Sequence, residues 1–228
     1  MKALLLRVGI DKTYGALSPV FADYSYKYIP IYYLDKKEVE KNETRTYRDL
    51  GFDMFLHTKL RDKKVHLDPE FDSFTYGDPG WLKRSSLLKL RKGDLLVFYI
   101  GGKQIDTNKP DGCFIIGYFQ VDIVADWNSL SKGQRATTKS AFAKNAHIIS
   151  SKSKTNVVLV KGTNQSKQLR QCIPITERNK RASNPPYLTS ISIQKSLGIR
   201  GFIVRAVPIW IHDSKHLENL RQLLGIKG

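Results

Sequence analysis

The sequence has few cysteines, and none of them lies in a metal-binding arrangement. Its 228 residues include two cysteines, Cys113 and Cys172, and no Cys-x-x-Cys pair. A zinc site built from thiolates is therefore not expected. Both cysteines lie in apolar, strand-like sequence, which predicts buried free thiols in a reducing, cytoplasmic environment. A disulfide between them is the alternative.

Long apolar runs are also missing. No stretch approaches the roughly 18 residues that a membrane-spanning helix requires. The N-terminal sequence MKALLLRVGID lacks a small-residue cleavage site and carries Arg7 within its apolar run. It therefore predicts a first strand over residues 3–10 and not a signal peptide. We expect no membrane partner.

Short motifs of hydrolases and nucleotide-binding enzymes are absent as well. The chain contains no GxSxG, no Walker-type GxxxxGK[ST] and no GxGxxG, and Gly101-Gly102-Lys103 is too short to cradle phosphates by itself. We therefore assign no catalytic residue, no metal and no cofactor at this point. Enzymatic activity stays open as an alternative.

Acidic residues are scarce in the second half of the chain. Residues 1–126 carry 20 basic and 18 acidic side chains, whereas residues 127–228 carry 18 basic and 3 acidic ones. Such a localised excess predicts a polyanionic partner, nucleic acid first, because phosphates attract Lys and Arg regardless of base sequence. A membrane surface or a generally cationic surface are the alternatives. The expected phosphate-binding residues are Lys139, Lys144, Lys152, Lys154, Lys161, Lys167 and Arg170.

Helical and strand patterns do not alternate regularly, which argues against a doubly wound parallel sheet. The patterns predict strands over residues 95–100 and 113–127, with a bulge or bend at Gly117. They predict helices over residues 81–90 and 131–146, and a final helix that Asp213 or Ser214 caps and Gly225 ends. We expect an α+β fold: a mixed, strongly curved β-sheet or a small β-barrel with flanking helices. A single domain, residues 1–228, would contain both the near-neutral half (1–126) and the basic half (127–228).

The stretch HLDPEFDSFTYGDPG, residues 66–80, is acidic and aromatic in a basic chain. His66 and Asp68 form a His-x-Asp pair that lies on one face of an extended segment. The pair could be hydrogen-bonded structure, or it could bind a metal if His147 supplied a third ligand. His147 is far from this pair in sequence, so we favour a structural or base-contacting role for His66 and Asp68.

Aromatic residues in the same stretch flank a strong turn signal, Gly77-Asp78-Pro79-Gly80. We expect Phe71 and Phe74 to fill the core. Tyr76 and Trp81 could instead stack on a flat heterocycle while Asp78 accepts a hydrogen bond from an exocyclic amine.

Several blocks of the sequence together resemble a known family. LLRVGID, HLDPEFDSFTYGDPG, LKLRKGDLLVFYIGG with CFIIGYFQVDIV, KNAHII and VLVKGTNQSKQLRQCIPI follow one another over most of the chain. They resemble the nucleotide modification associated domain, type three. The portion from KGD to GYFQV also resembles the PUA superfamily, which includes the EVE, ASCH and YTH domains.

The family resemblance implies work with modified bases in nucleic acid, and the PUA resemblance implies a small barrel with a pocket for a flipped base. Trp81, Tyr99 and Trp127 are candidates for an aromatic cage. The residues that match the family's motifs are His66, Asp68, Tyr76, Gly77, Asp78, Gly93, Asp94, Asn145 and His147. Asn145 and His147 could also form a hydrogen-bonded pair in the core.

The leading hypothesis is a non-catalytic nucleic-acid reader that takes a base, modified or not, into a pocket while the basic half holds the phosphate backbone. An enzyme acting on nucleic acid, either a metal-dependent nuclease or a base-modifying activity, is the second hypothesis. An RNA-binding component of a larger particle is the third. DNA or RNA as partner and the oligomeric state are left open. The expected base pocket comprises His66, Asp68, Tyr76, Asp78, Trp81, Tyr99, Asn145 and His147.

Overall fold

A computed structural model describes residues 1–33, 43–150, 156–178, 187–203 and 207–226. The described strands are β1 Ala3–Arg7, β2 Ser18–Val20, β3 Ile31–Tyr32, β4 Val65–His66, β5 Thr75–Asp78, β6 Leu95–Gln104, β7 Gly112–Asp126, β8 Val158–Gly162, β9 Lys167–Pro174, β10 Thr176–Arg178, β11 Tyr187–Thr189 and β12 Ile209–Ile211. The described α-helices are α1 Trp81–Leu87, α2 Lys132–Ala141, α3 Ala146–Ile149, α4 Ile191–Leu197 and α5 Ser214–Leu223.

Eight strands form one mixed sheet in the order β12-β1-β6-β7-β8-β5, with β2 added to β6 and β9 to β7. The pairings of β1 and β2 with β6 are parallel, and the remaining pairings in this sheet are antiparallel. The α+β expectation is confirmed. Among the described residues no helix is long and apolar enough to cross a membrane.

The barrel alternative is wrong, because the described strands do not close into a ring. The two end strands of the sheet, β12 and β5, each pair with a single neighbour among the described strands. Strand β7 is fifteen residues long, its register shifts between Ile115 and Gly117, and its last residues pair with β8 instead of β6. A bulge bends a strand and increases its twist, so the sheet curves along β7. The predicted bend at Gly117 is confirmed.

Both faces of the central sheet are buried. Alternate residues of β1 point to opposite faces: Ala3 and Leu5 join a cluster with α4 and α5, whereas Leu4 and Leu6 join a second cluster. Phe71 and Phe74 pack against that second cluster, as expected. Both cysteines are buried and free in the structure, as predicted for the two thiols themselves. Burial raises the pKa of Cys113 to about 11 and that of Cys172 to about 12.

The predicted helices are largely present. Asp213 caps α5 by accepting a hydrogen bond from the His216 N–H, and Gly225 follows the helix with a positive φ of 68°. The helix predicted over 131–146 is divided into α2 and α3, because the chain leaves helical geometry at Phe142 and restarts at Asn145.

Candidate functional site

A cavity of about 330 Å³ lies beside the ends of β1 and β5, next to β3 and α3. Its walls include five of the residues expected from the sequence: His66, Asp68, Tyr76, Asp78 and His147. These side chains are separated by as many as 81 residues in sequence and come from three secondary-structure elements and one connecting segment.

Asp68 is a buried acid in the wall of this cavity. Its Oδ1 accepts hydrogen bonds from the Gly77 backbone N–H at 3.0 Å and from the Asn145 side-chain amide at 3.3 Å. Its Oδ2 lies 3.4 Å from Nε2 of His147. The Asp68 side chain is only 6% exposed, so its charge is held by hydrogen-bond donors and by the neighbouring imidazole.

Two local features place His147. Asn145 is the N-cap of α3, and its Oδ1 accepts a hydrogen bond from the His147 N–H at 3.0 Å. Gly77 provides the space for the ring, because a Cβ at Gly77 would lie 2.7 Å from Cδ2 of His147. Nε2 of His147 is then 3.1 Å from the Gly77 carbonyl oxygen. The ring is therefore fixed by packing and by polar contacts together.

His66 is the third member of the cluster. It pairs with Ile31 in the short β3–β4 ladder, and its ring meets the rings of Tyr33 and His147 edge-on, with centroid separations of 4.8 and 4.7 Å. One ligand atom from each of His66, Asp68 and His147 lies within 4.8 Å of the others. The three residues that a metal site would need are therefore brought together.

Burial and neighbouring charges shift the pKa values of this cluster. Burial, followed by the proximity of His147, holds the pKa of His66 well below its ordinary value. Burial also acts to lower the pKa of His147, but the hydrogen bond and negative charge of Asp68 outweigh it, and the pKa of His147 is raised. Burial raises the pKa of Asp68. At neutral pH the imidazole of His66 is therefore neutral.

Three donors fix the carboxylate of Asp78 in the lining of the cavity. Its Oδ2 accepts the Tyr76 hydroxyl at 2.9 Å and lies 3.1 Å from the Lys83 ammonium, while its Oδ1 accepts the Gly80 N–H at 2.7 Å. Burial and the two nearby carboxylates raise the pKa of Tyr76 well above its ordinary value. Gly77 and Asp78, which the sequence placed in a turn, instead end β5, and Pro79 and Gly80 connect Asp78 to the start of α1.

All residues that line this cavity lie in the part of the chain that matches a known protein family. The family model described as nucleotide modification associated domain 3 matches residues 2–199. The chain belongs to this family.

The family resemblance inferred from the sequence blocks is confirmed by this match. No curated protein matches the chain. Among solved structures, the N-terminal domain of Thermococcus gammatolerans McrB bound to m5C DNA aligns with a TM-score of 0.38 and 10% identity. The alignment covers 99% of this chain and 98% of that one.

Sequence reasoning missed several tyrosines of this nucleotide modification associated domain. Tyr14, Tyr32 and Tyr33 line the cavity, and the Tyr33 hydroxyl donates to the Ala146 carbonyl at 3.0 Å. The rings of Tyr14 and Tyr32 meet edge-on at 5.5 Å. The dense tyrosines of residues 24–33 were the signal available in the sequence.

Three residues expected in the pocket lie elsewhere. Tyr99 is in the middle of β6 and fully buried in the cluster beside α4 and α5, because its side chain points to the opposite face from Tyr76. Trp81 begins α1 and is 77% exposed, outside the cavity wall. Asn145 is fully buried and supports Asp68 and His147 instead of lining the cavity.

The aromatic cage suggested by the resemblance does not form. Trp127 packs in one cluster with Phe142, Tyr99 belongs to a different cluster, and Trp81 faces solvent. The aromatic side chains of the cavity are the tyrosines instead.

The expected phosphate-binding residues fall into different surroundings. Lys139 and Lys144 line a second cavity of about 500 Å³, together with Arg45, Glu70 and Asp72. The two cavities share no lining residue, but residues that line them are close in sequence: Asp68 and His147 line the first, and Glu70 and Ile148 line the second.

Other basic residues differ from these two. Lys161 is partly buried and donates to the Ala141 carbonyl at 2.8 Å, so its ammonium is already engaged at the end of α2. Lys167 and Arg170 lie on β9 and line neither cavity. Lys152 and Lys154 lie outside the described residues.

Proposed function

We propose that this chain binds nucleic acid and holds a single base, one that carries a modification, in the 330 Å³ cavity. The second cavity, with Lys139 and Lys144, would hold the neighbouring phosphates. The observation that carries the proposal is the combination of one cavity lined by tyrosine rings and a fixed carboxylate with a second cavity lined by exposed lysines, where the segment 144–148 contributes residues to both linings.

The cavity's size and lining suit a base. Its volume is at the lower end of the roughly 300–1,000 Å³ typical of small-molecule pockets. Tyr14 and Tyr32 are partly exposed and offer ring surfaces for stacking, which every base accepts. The Asp78 carboxylate is held rigidly by its donors, yet each carboxylate oxygen can accept more than one hydrogen bond. It is therefore an acceptor for an exocyclic amine.

Charge supports a nucleic-acid partner. The net charge of +17 is concentrated in residues 127–228, and α2 with its following turn contributes Lys139 and Lys144 next to the helix that carries His147. No carboxylate of the described residues pairs with Lys139, and Asp72 is 4.0 Å from Lys144. Membership of a family associated with nucleotide modification favours a modified base over an ordinary one.

The experiment is a binding titration with labelled oligonucleotides, single-stranded and duplex, in the presence of EDTA. Each carries one central 5-methylcytosine, 5-hydroxymethylcytosine or N6-methyladenine, or the unmodified base. We expect one modified base to bind more tightly than its unmodified counterpart. A 2-aminopurine next to that base should brighten if the base leaves the stack.

Two matched carboxylate variants locate the effect. Asp78→Asn removes the charged acceptor and should weaken binding of the preferred oligonucleotide roughly tenfold to hundredfold, the value of one hydrogen bond to a charged group. Asp122→Asn should not, since Asp122 also pairs with a lysine (Lys92, 2.7 Å) but lies in β7 outside both cavities. If the wild type bound all the oligonucleotides with equal affinity, the base pocket would be refuted. The chain would then bind nucleic acid through its basic surface alone, as expected for an RNA-binding component of a larger particle.

A second candidate function is an enzyme acting on nucleic acid. The convergence of His66, Asp68 and His147 at the cavity wall favours it, because these are the groups that hold metals or move protons in active sites.

A further inference from the structure

We propose that His66, Asp68 and His147 form a binding site for one divalent transition-metal ion in the wall of the cavity. The site would belong to the free protein and does not depend on nucleic-acid binding, so its test contains no oligonucleotide.

The spacing of the ligand atoms favours a shared ion. Oδ2 of Asp68 and Nε2 of His147 are 3.4 Å apart, and all three ligand atoms lie within 4.8 Å of one another. Two ligands bound to one ion at about 2.0–2.2 Å lie roughly 3–4 Å from each other. Asp68 and His147 therefore already have the spacing of neighbouring ligands, and the ligand atom of His66 lies within 4.8 Å of both.

The hydrogen bonds around the cluster orient its ligand atoms. The Gly77 N–H and the Asn145 amide both bind Oδ1 of Asp68 and so leave Oδ2 directed at the imidazole. Asn145 also fixes the start of the helix that carries His147. Such supporting hydrogen bonds orient the ligands in metal sites and tune the affinity for the ion.

The cluster has one open side. Each of the three residues contributes to the lining of the cavity, so positions not filled by protein ligands would face the space where a bound molecule sits. Two imidazoles and one carboxylate leave such positions open and are suited to Zn²⁺, Fe²⁺ or their neighbours. Mg²⁺ and Ca²⁺ favour oxygen ligands and fit this set less well.

Metal binding would change the hydrogen bonding of His147. Its Nε2 is 3.1 Å from the Gly77 carbonyl and 3.4 Å from Asp68, the arrangement of a protonated nitrogen shared between two acceptors. A metal would take the place of that proton, since imidazole binds metals in its neutral form.

The test is a titration of the metal-stripped full chain with Co²⁺ and with Zn²⁺. We expect one ion per chain by calorimetry, a visible Co²⁺ absorption band, and X-ray absorption that counts two imidazole nitrogens. His66→Gln and His147→Gln should each weaken the affinity at least tenfold, because removal of a supporting residue alone costs 10- to 100-fold. His57→Gln should not, because His57 is an exposed histidine outside the cluster.

Circular dichroism and a melting curve establish whether each variant folds. His66→Gln is the decisive variant, because the hydrogen bonds that hold Asp68 and His147 involve other residues. Absence of stoichiometric binding to the wild type, or equal affinity of folded His66→Gln and His57→Gln, would overturn the metal site and identify the cluster as hydrogen-bonded structure. The base-binding titration contains EDTA, so its outcome is independent of this one.

Discussion

Replacing Gly77 by alanine tests how tightly the site is packed. Gly77 lies in β5 and does not have a positive φ, so alanine suits its backbone, and only the added methyl group matters. That Cβ would lie 2.7 Å from Cδ2 of His147, 3.0 Å from Cδ2 of Leu159 and 3.4 Å from Oδ1 of Asn145. His147 cannot swing away freely, because Asp68 and the Gly77 carbonyl hold its Nε2.

The expected cost follows from this crowding. Overpacking a well-packed site typically costs about 1–3 kcal/mol, and a chain of this length loses about 2–4 °C of melting temperature per kcal/mol. Alanine also stabilises by about 0.4–1 kcal/mol through the unfolded state, which reduces the net loss. We therefore expect Gly77→Ala to melt several degrees lower, to bind Co²⁺ more weakly and to lose base discrimination.

Thermal and chemical unfolding monitored by circular dichroism measure the effect, with Gly133→Ala as the matched control. Gly133 lies in α2, and a Cβ added there would have no described neighbour within 4 Å, so alanine should be neutral or stabilising. In a His147→Ala background the cost of Gly77→Ala should shrink, because the closest contact has been removed. An unchanged cost in that background, or no cost in the wild type, would refute the claim that Gly77 makes room for His147.

Two further predictions concern the basic surface and the C-terminal helix. Lys139→Ala and Lys144→Ala should each flatten the plot of log affinity for duplex DNA against log salt concentration by about 0.9, the value of one phosphate contact. Lys92→Ala, which changes an exposed lysine outside both cavities, should leave that slope unchanged, and equal slopes for all three variants would remove the proposed phosphate contacts. Leu220→Ala should lower the free energy of unfolding by about 2–5 kcal/mol, because Leu220 is fully buried. The same change at Leu223, which lies one turn further along α5 and is 38% exposed, should lower the free energy of unfolding far less. Similar losses for the two variants in denaturant titrations would contradict the packing of α5.

Local signals predicted the elements of this fold well. A cap at Asp213 and a glycine at 225 define α5, and Gly117 marks the bend in β7, because caps and bulges depend on a few adjacent residues. Whether the sheet closes into a barrel was not predictable in the same way. It depends on which strand meets the far part of β7, and that pairing joins residues that are 32 to 41 positions apart in the chain.

The site was predictable where its chemistry is concentrated in sequence and unpredictable where the fold decides which face a side chain occupies. His66 and Asp68 are two residues apart, and His147 was the third ligand considered, so the cluster could be guessed from residue type. Tyr99 could not be placed, since both faces of β6 are buried and alternation of apolar and polar residues, the usual guide to the inward face, is absent there. Two of the tyrosines that line the cavity, Tyr32 and Tyr33, come from a strand of two residues and the position after it, too short a segment for any periodicity. The buried cluster of two histidines and an aspartate, held by Gly77 and Asn145 beside these rings, therefore cannot be recognised as a site without the tertiary structure. The metal titration and the Gly77 variant test that tertiary arrangement directly.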